Sequence, residues 1–250
     1  MTVNSDPVWA VVPAAGSGSR MGASTPKQYL PLRQSTVIEC TLHRLLSVKC
    51  IAGIVVAVDD DASFRNVVKD RSLCSSVPLH TVVGGDTRTQ SVSNALQYLG
   101  NLESREYTVL VHDAARPCVR VSDIELLVDR CANSVDGGLL AIPVVDTLKR
   151  GDESDRVSGT IDRARAWRAA TPQLFKLSVL VEALNDATRL QGAVAGAFAG
   201  TLTDEASAME NAGYRPQLIP CEADNIKITQ AADLALANVI LQAQQSEAHT

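Results

Sequence analysis

Short, β-branched apolar runs alternate along the chain with segments of helical spacing. VWAVVP (8–13), GIVVAV (53–58), LHTVVGG (79–85), YTVLVH (107–112) and GGLLAIPVV (137–145) are apolar on both faces, as expected for strands buried inside a parallel sheet. After the first run, Thr36 and Glu39 have the spacing of a capping box, and Ile38, Leu42, Leu45 and Leu46 follow at helical intervals. Glu39 therefore reads as a helix cap. Further helices are predicted at about 87–99, 121–132, 176–189, 204–212 and 230–244. The rhythm predicts an α/β fold with a parallel sheet covered by helices on both sides. In such a sheet ligands bind at the carboxyl ends of the strands.

Two stretches break the rhythm. Residues 146–160, DTLKRGDESDRVSGT, are charged and have no apolar face to bury. They read as a solvated β-hairpin or loop, or as an arm that reaches a partner subunit. Residues 190–201, LQGAVAGAFAGT, are rich in alanine and glycine and read as a flexible linker.

A length of 250 residues allows one large domain or two small ones, with a sizeable core. A net charge of -5 argues against broad attraction to nucleic acid or an anionic membrane, so any anion site must be a local cluster of Arg and Lys. No apolar run reaches the length of a membrane span, and the polar start MTVNSDP does not resemble a secretion signal. The six cysteines form no C-x-x-C pair and the four histidines are scattered, which suggests reduced thiols in a cytoplasmic protein without a zinc site.

The first strand runs into PAAGSGSRMGASTPKQYL (13–30), a loop with almost no side chains that closes on Lys27. Its spacing fits neither a P-loop nor the dinucleotide fingerprint, whose third glycine would fall at Met21. A dehydrogenase is thereby disfavoured. The generic reading remains: small residues let backbone N–H groups approach an anion or a flat base.

Four other stretches fall at strand ends or in strand-end loops: GGDTRTQSV (84–92), VHDAARP (111–117), ATPQLF (170–175) and ADNIKIT (223–229). Asp113 and Arg116 could be a local ion pair that fixes its loop. Lys227 lies in a short apolar run, where a buried lysine needs an anionic partner. With Arg20 and Lys27 it would form a cation cluster suited to a nucleoside triphosphate and Mg²⁺.

The motifs P-A-A-G-x-G-x-R-M, P-K-Q-Y-L, G-G-D-x-R, V-H-D-A-A-R-P, D-T-x-K, D-R, T-P-Q, T-D-E-A-S and D-N-I-K-I-T occur in this order from about residue 9 to 240. Together they resemble the 2-C-methyl-D-erythritol 4-phosphate cytidylyltransferase family. The ribitol-phosphate cytidylyltransferases share the framework, but Pro13-Ala14-Ala15-Gly16 and Asp113-Ala114-Ala115-Arg116 favour the methylerythritol enzyme. A non-catalytic nucleotide sensor would have no use for Arg163, Thr147 and Thr171 together. The chain departs from the pattern in the alanine-rich stretch before Thr203, which is longer than the family needs.

The resemblance implies a three-layer, Rossmann-like nucleotidyltransferase domain spanning residues 1–250, with a mostly parallel sheet and a protruding β-arm at about 142–165. It implies CMP transfer from CTP to the polyol phosphate, and a homodimer through the arm. Arg20 and Lys27 would sit on the triphosphate, Lys227 between CTP and the incoming phosphate, and Arg163 on the latter. Ala14, Ala15, Gly85, Asp86 and Ser91 would form the cytosine pocket, while Pro13, Gly16 and Ala114 meet the ribose. Asp113, Arg116, Thr147, Thr171 and Thr203 would bind the erythritol hydroxyls or phosphate. Mg²⁺ is expected mainly on the phosphate oxygens, with Asp113 the nearest protein partner.

Overall fold

In the computed structural model, which describes residues 6–16, 25–74, 77–102, 106–193 and 202–247, the first strand β1 (Val8–Pro13) sits inside the main sheet. A two-residue hairpin, β2 (Pro31–Leu32) and β3 (Ser35–Thr36), leads into α1 (Val37–Leu46). The order continues with β4 (Ile51–Val58), α2 (Asp61–Val67), β5 (Leu79–Val83), α3 (Arg88–Leu102), β6 (Thr108–Val111), α4 (Val121–Cys131) and β7 (Gly138–Pro143). The hairpin β8 (Leu148–Gly151) and β9 (Val157–Ile161) follows. The chain then forms β10 (Trp167–Lys176), α5 (Leu177–Ala193), α6 (Glu205–Asn211), β11 (Gln217–Pro220) and α7 (Ala231–Glu247).

Seven strands form the main sheet in the order β11-β7-β10-β6-β1-β4-β5. All neighbouring pairs are parallel except those of β10, which runs antiparallel between β6 and β7. The alternation along β1 sets the layers. Val8, Ala10 and Val12 point to the side covered by α1, α2 and α4, whereas Trp9 and Val11 point to the side covered by α3, α5 and α6. Both faces are therefore buried, and the runs read as apolar throughout. A third cluster, including Leu32, Val37, Cys118, Ile228 and Leu241, docks α7 beside the carboxyl end of the sheet.

The expected capping box is present, with the Thr36 hydroxyl accepting from the Glu39 N–H. Glu39 does more than cap: its second carboxylate oxygen accepts the N–H groups of Lys69 and Asp70, at 2.9 and 3.3 Å.

Three expectations change. The stretch at 170–175 is not a strand-end loop but part of β10. Pro172 cannot donate to a ladder, and it falls within the register shift between Ala169 and Gln173, where the lost donor is tolerated. The 79–85 strand stops at Val83, because Gly84 and Gly85 leave the sheet. Residues 223–229 keep their expected place in the connection that follows β11, and Lys227 stands on an irregular segment. The expected linker at 190–201 begins as helix, since α5 runs to Ala193. The remainder of that stretch lies outside the described residues.

Residues 146–160 do form a hairpin. Leu148 pairs with Ile161 and Lys149 with Thr160. Its turn closes on Asp152, whose carboxylate accepts the N–H groups of Ser154 and Arg156. Val145 and Val157 are 77% and 67% exposed, so these apolar groups find little cover among the described residues.

Candidate active site

Five connections converge at the carboxyl ends of β1 and β6. The loop after β1 is held from both sides. Gly16, at φ +110°, directs its N–H to both carboxylate oxygens of Asp59 at 2.9 and 3.0 Å. From the other side buried Gln28 donates to the carbonyls of Ala14 (2.6 Å) and Gly16 (3.2 Å). Residues 14–16, with no side chain larger than a methyl group, thus become a fixed ledge. Gln28 belongs to the short 3-10 turn Lys27–Tyr29, which brings Lys27 to the same cleft. Arg20 lies outside the described residues.

The loop after β5 lies against that ledge. A Cβ on Gly84 would stand 2.3 Å from the Ala15 Cβ, so only glycine allows this approach. The Gly85 N–H donates to the Ser91 hydroxyl at 3.1 Å, and that hydroxyl donates to the Thr87 carbonyl at 3.0 Å. Ser91 is buried behind the loop and shapes it, whereas Asp86 is exposed.

Asp113, just past β6, is the electrostatic centre. One carboxylate oxygen accepts from Arg88 Nε at 2.9 Å, and the other lies 2.8 Å from Lys227 Nζ and 3.5 Å from Arg116 Nε. Arg88 in turn grips the fully buried Glu205 with both terminal nitrogens, at 2.7 and 3.0 Å. Burial alone would push the Asp113 carboxyl up, but the Arg88, Lys227 and Arg116 cations outweigh it and hold it well below the usual carboxylate range. Arg116 shifts down, chiefly through burial, which Asp113 partly offsets.

Behind Asp113 runs a buried relay. His112 Nε2 lies 3.1 Å from the Arg116 carbonyl, which can only accept, so this nitrogen carries the proton. Nδ1 must then accept from the Thr171 hydroxyl at 3.1 Å, whose oxygen accepts the Asp113 N–H at 3.0 Å. Burial pushes the His112 pKa down to about 4 against the opposing pull of Asp113, so the ring is neutral.

The Lys227 segment hangs on the same loop. Arg116 donates to the Asn225 carbonyl at 2.8 Å, and the Ile228 N–H donates to the Ala115 carbonyl at 2.9 Å. The Asn225 side chain donates to the Thr171 carbonyl at 2.9 Å.

The cleft is thus lined by Pro13, Ala14, Ala15, Gly16, Lys27, Asp113, Ala114 and Lys227, all anticipated from the sequence, together with Gln28, Arg88 and Ala115. Gly85 and Ser91 flank it through the Gly84–Ala15 approach; Arg116 and Thr171 back it. Thr147 and Arg163 are exposed at the two ends of the hairpin, where Arg163 donates to the Val145 carbonyl, and neither lines the cleft. Thr203 is exposed at the start of α6 and, among the described residues, bonds within its own turn. Arg88, Glu205 and Gln28 were not anticipated as site residues. Arg88 and Glu205 stand within the G-G-D-x-R and T-D-E-A-S motifs, so a signal was present; their pairing was not.

The profile of the IspD family, 2-C-methyl-D-erythritol 4-phosphate cytidylyltransferase, matches residues 8–243. The chain belongs to this family. A curated member from Vibrio vulnificus strain YJ016 is 45% identical over 232 residues, 93% of either chain. A crystal structure of 4-diphosphocytidyl-2C-methyl-D-erythritol synthase is 34% identical, with a TM-score of 0.76 over 94% of this chain and 98% of the other. The Francisella tularensis 2-C-methyl-D-erythritol 4-phosphate cytidylyltransferase is 32% identical, with a TM-score of 0.75 over 94% of this chain and all of its own. The family match covers every element of the main sheet and every connection that builds the cleft.

Proposed function

We propose that the protein transfers CMP from CTP to 2-C-methyl-D-erythritol 4-phosphate, giving 4-diphosphocytidyl-2-C-methyl-D-erythritol and pyrophosphate. The observation that carries this reading, beside family membership, is the pairing of a bare backbone ledge with Lys27 and Lys227 across one cleft. In the reaction an oxygen of the polyol phosphate bonds to the α-phosphorus of CTP, while the bond from that phosphorus to the bridging oxygen breaks and pyrophosphate leaves with the electron pair. A phosphate monoester, with a second pKa near about 6, is already largely dianionic at neutral pH. No protein nucleophile is needed. The demand is to hold two repelling anions in line and to neutralise the charge that grows on the leaving group.

Lys27 and Arg20 meet that demand on the triphosphate and Lys227 meets it between the two substrates. Ala14, Ala15, Gly85, Asp86 and Ser91 form the base pocket, and Pro13, Gly16 and Ala114 approach the ribose. Asp113 meets the polyol phosphate from the cleft wall, with Arg116 and Thr171 setting its position from behind, and Thr203 reaches the substrate from the start of α6. Asp113 is the one carboxylate lining the cleft among the described residues, and both its oxygens are engaged by cations. This donor set fits a Mg²⁺ that arrives on the phosphate oxygens with its waters, better than an ion chelated by protein. When bound, the ion offsets phosphate charge.

Thr147 and Arg163 complete the site from the arm of a second copy. This reading is supported by the exposed Val145 and Val157, and by the absence of both polar residues from the lining of their own cleft. Five free thiols among the described side chains suit a cytoplasmic setting, and no described helix is long and apolar enough to cross a membrane. The test is to incubate the purified protein with CTP, Mg²⁺ and either 2-C-methyl-D-erythritol 4-phosphate or ribitol 5-phosphate and to measure pyrophosphate. Release with the methylerythritol substrate is expected; equal or faster release with ribitol phosphate overturns the substrate assignment.

A further inference from the structure

We propose that Gln244, on the last helix, is a positioning residue for the Lys227 ammonium; this rests on the reading of Lys227 as a group that meets the phosphates. Residues 225–229 have no regular secondary structure; besides the Ile228 N–H bond to the Ala115 carbonyl, side-chain bonds hold both of their ends. At one end the Asp233 carboxylate accepts the N–H groups of Thr229 and Gln230, at 2.8 and 3.0 Å. At the other end Asp224 Oδ2 accepts from Gln244 Nε2 at 2.9 Å and from Arg120 at 2.8 and 3.0 Å. Both ends are thus fastened to α7, and Lys227 stands between them.

Gln244 is the junction. Its oxygen accepts from Arg44 of α1 at 2.5 Å, while its nitrogen also donates to the Cys118 carbonyl at 2.9 Å. One buried amide therefore links α1, the loop after β6 and the segment that carries Lys227. Apolar contact alone could dock this helix, since Ala237 and Leu241 already join the cluster that contains Ile228 and Cys118. Such contacts are non-directional and would let the helix shift along its groove. A buried amide is costly unless fully bonded, and once bonded it fixes direction. The ammonium it serves must stay near 2.8 Å from Asp113 and within reach of a phosphate oxygen, and a misplacement of about 1 Å in such a site can cost on the order of a hundredfold.

Gln244→Glu separates this role from simple packing. The new carboxylate keeps volume and strengthens the bond from Arg44, but it loses both donated bonds and repels Asp224. We expect kcat to fall about tenfold with the KM for CTP changed less than about twofold. In a Lys227→Met background the same substitution should cost less than about twofold further, because the group it positions is gone. An unchanged kcat in the single variant overturns the proposal, and so does an equal fold loss in both backgrounds, which would mark a general loss of stability. Should Gln244→Glu not fold, Gln244→Met enters the same cycle with the same outcomes. If Lys227→Met itself keeps the parent kcat, the assignment of Lys227 fails and the positioning role with it, while transfer activity toward the substrate still stands.

Discussion

Lys227 Nζ lies 2.8 Å from Asp113 Oδ2, while Arg88 holds the other carboxylate oxygen of Asp113 at 2.9 Å. One buried carboxylate thus balances cations from three separate connections. Replacing it by a neutral amide leaves Arg116 and Lys227 without this counterion and Arg88 with Glu205 alone, and breaking a buried pair typically costs about 3–5 kcal/mol. A lower unfolding midpoint is expected for Asp113→Asn. Pyrophosphate should restore part of it, because an added anion stands where the carboxylate charge was lost. The check is the thermal shift produced by pyrophosphate, larger in the variant than in the parent. An equal shift in both would mean that these cations do not face the anion site.

Lys27 reaches the cleft from a turn whose neighbour, Gln28, bonds the ledge itself. The turn that carries its charge is therefore pinned to the ledge at residues 14–16. Lys27→Ala should lose on the order of 10²–10³ in kcat, as for other positioned donors. Steady-state kinetics decides the matter: a raised KM for CTP with kcat intact would reduce Lys27 to a binding residue.

His112 sets an acid limit on the fold. Its pKa is about 4 in the folded chain against 6.5 when free, so between those values the unfolded chain binds the extra proton. Stability therefore falls as pH drops from about 6.5 toward 4, by about 3 kcal/mol from this group. Above pH 6.5 both states are neutral and the effect vanishes. Asp113, with its depressed pKa, acts in a lower window: its contribution is present above the ordinary carboxylate value and is lost only in stronger acid. Urea unfolding at about pH 7 and about pH 4.5 should show the drop, and His112→Gln should flatten it. A parent whose stability is level over this range contradicts a neutral buried ring.

The parallel strands and the α1 cap were legible because local pattern and final environment agree: doubly buried strands read as continuous apolar runs, and Thr36 and Glu39 cap within one turn. β10 was hidden by Pro172, whose cost is absorbed by a register shift that only the neighbouring strands reveal. The cleft-lining residues were legible through the ordered motifs. The Arg88–Glu205 clamp was not, since each residue alone reads as a solvated charge and only the fold brings α6 to the start of α3. The same holds for Gln244 and Asp224, joined through a helix whose polar face carries no local signature.

Gly84 offers a steric test of the base pocket. A methyl group there would meet the Ala15 Cβ at 2.3 Å and the Ser91 hydroxyl at 3.0 Å. Backbone must move apart, and the ledge and the second loop separate. Gly84→Ala should raise the KM for CTP about tenfold and blunt the preference for CTP over UTP. A variant with the parent preference would place base selection elsewhere.

Thr147 and Arg163 are exposed at the ends of the hairpin and do not line the cleft of their own chain. If the arms of two copies exchange, each site combines Lys27 and Lys227 of one chain with Thr147 and Arg163 of the other. Lys27→Ala and Arg163→Ala homodimers should then each be nearly inactive. In a mixed dimer one site collects both lesions and its twin collects neither. Random re-association of equal amounts makes about half of the dimers mixed, and one of their two sites is intact, so about a quarter of the parent activity should return. Subunit exchange is verified separately with differently tagged chains. If the tags mix and no activity reappears, Arg163 serves the cleft of its own chain, and each protomer must close its arm onto itself.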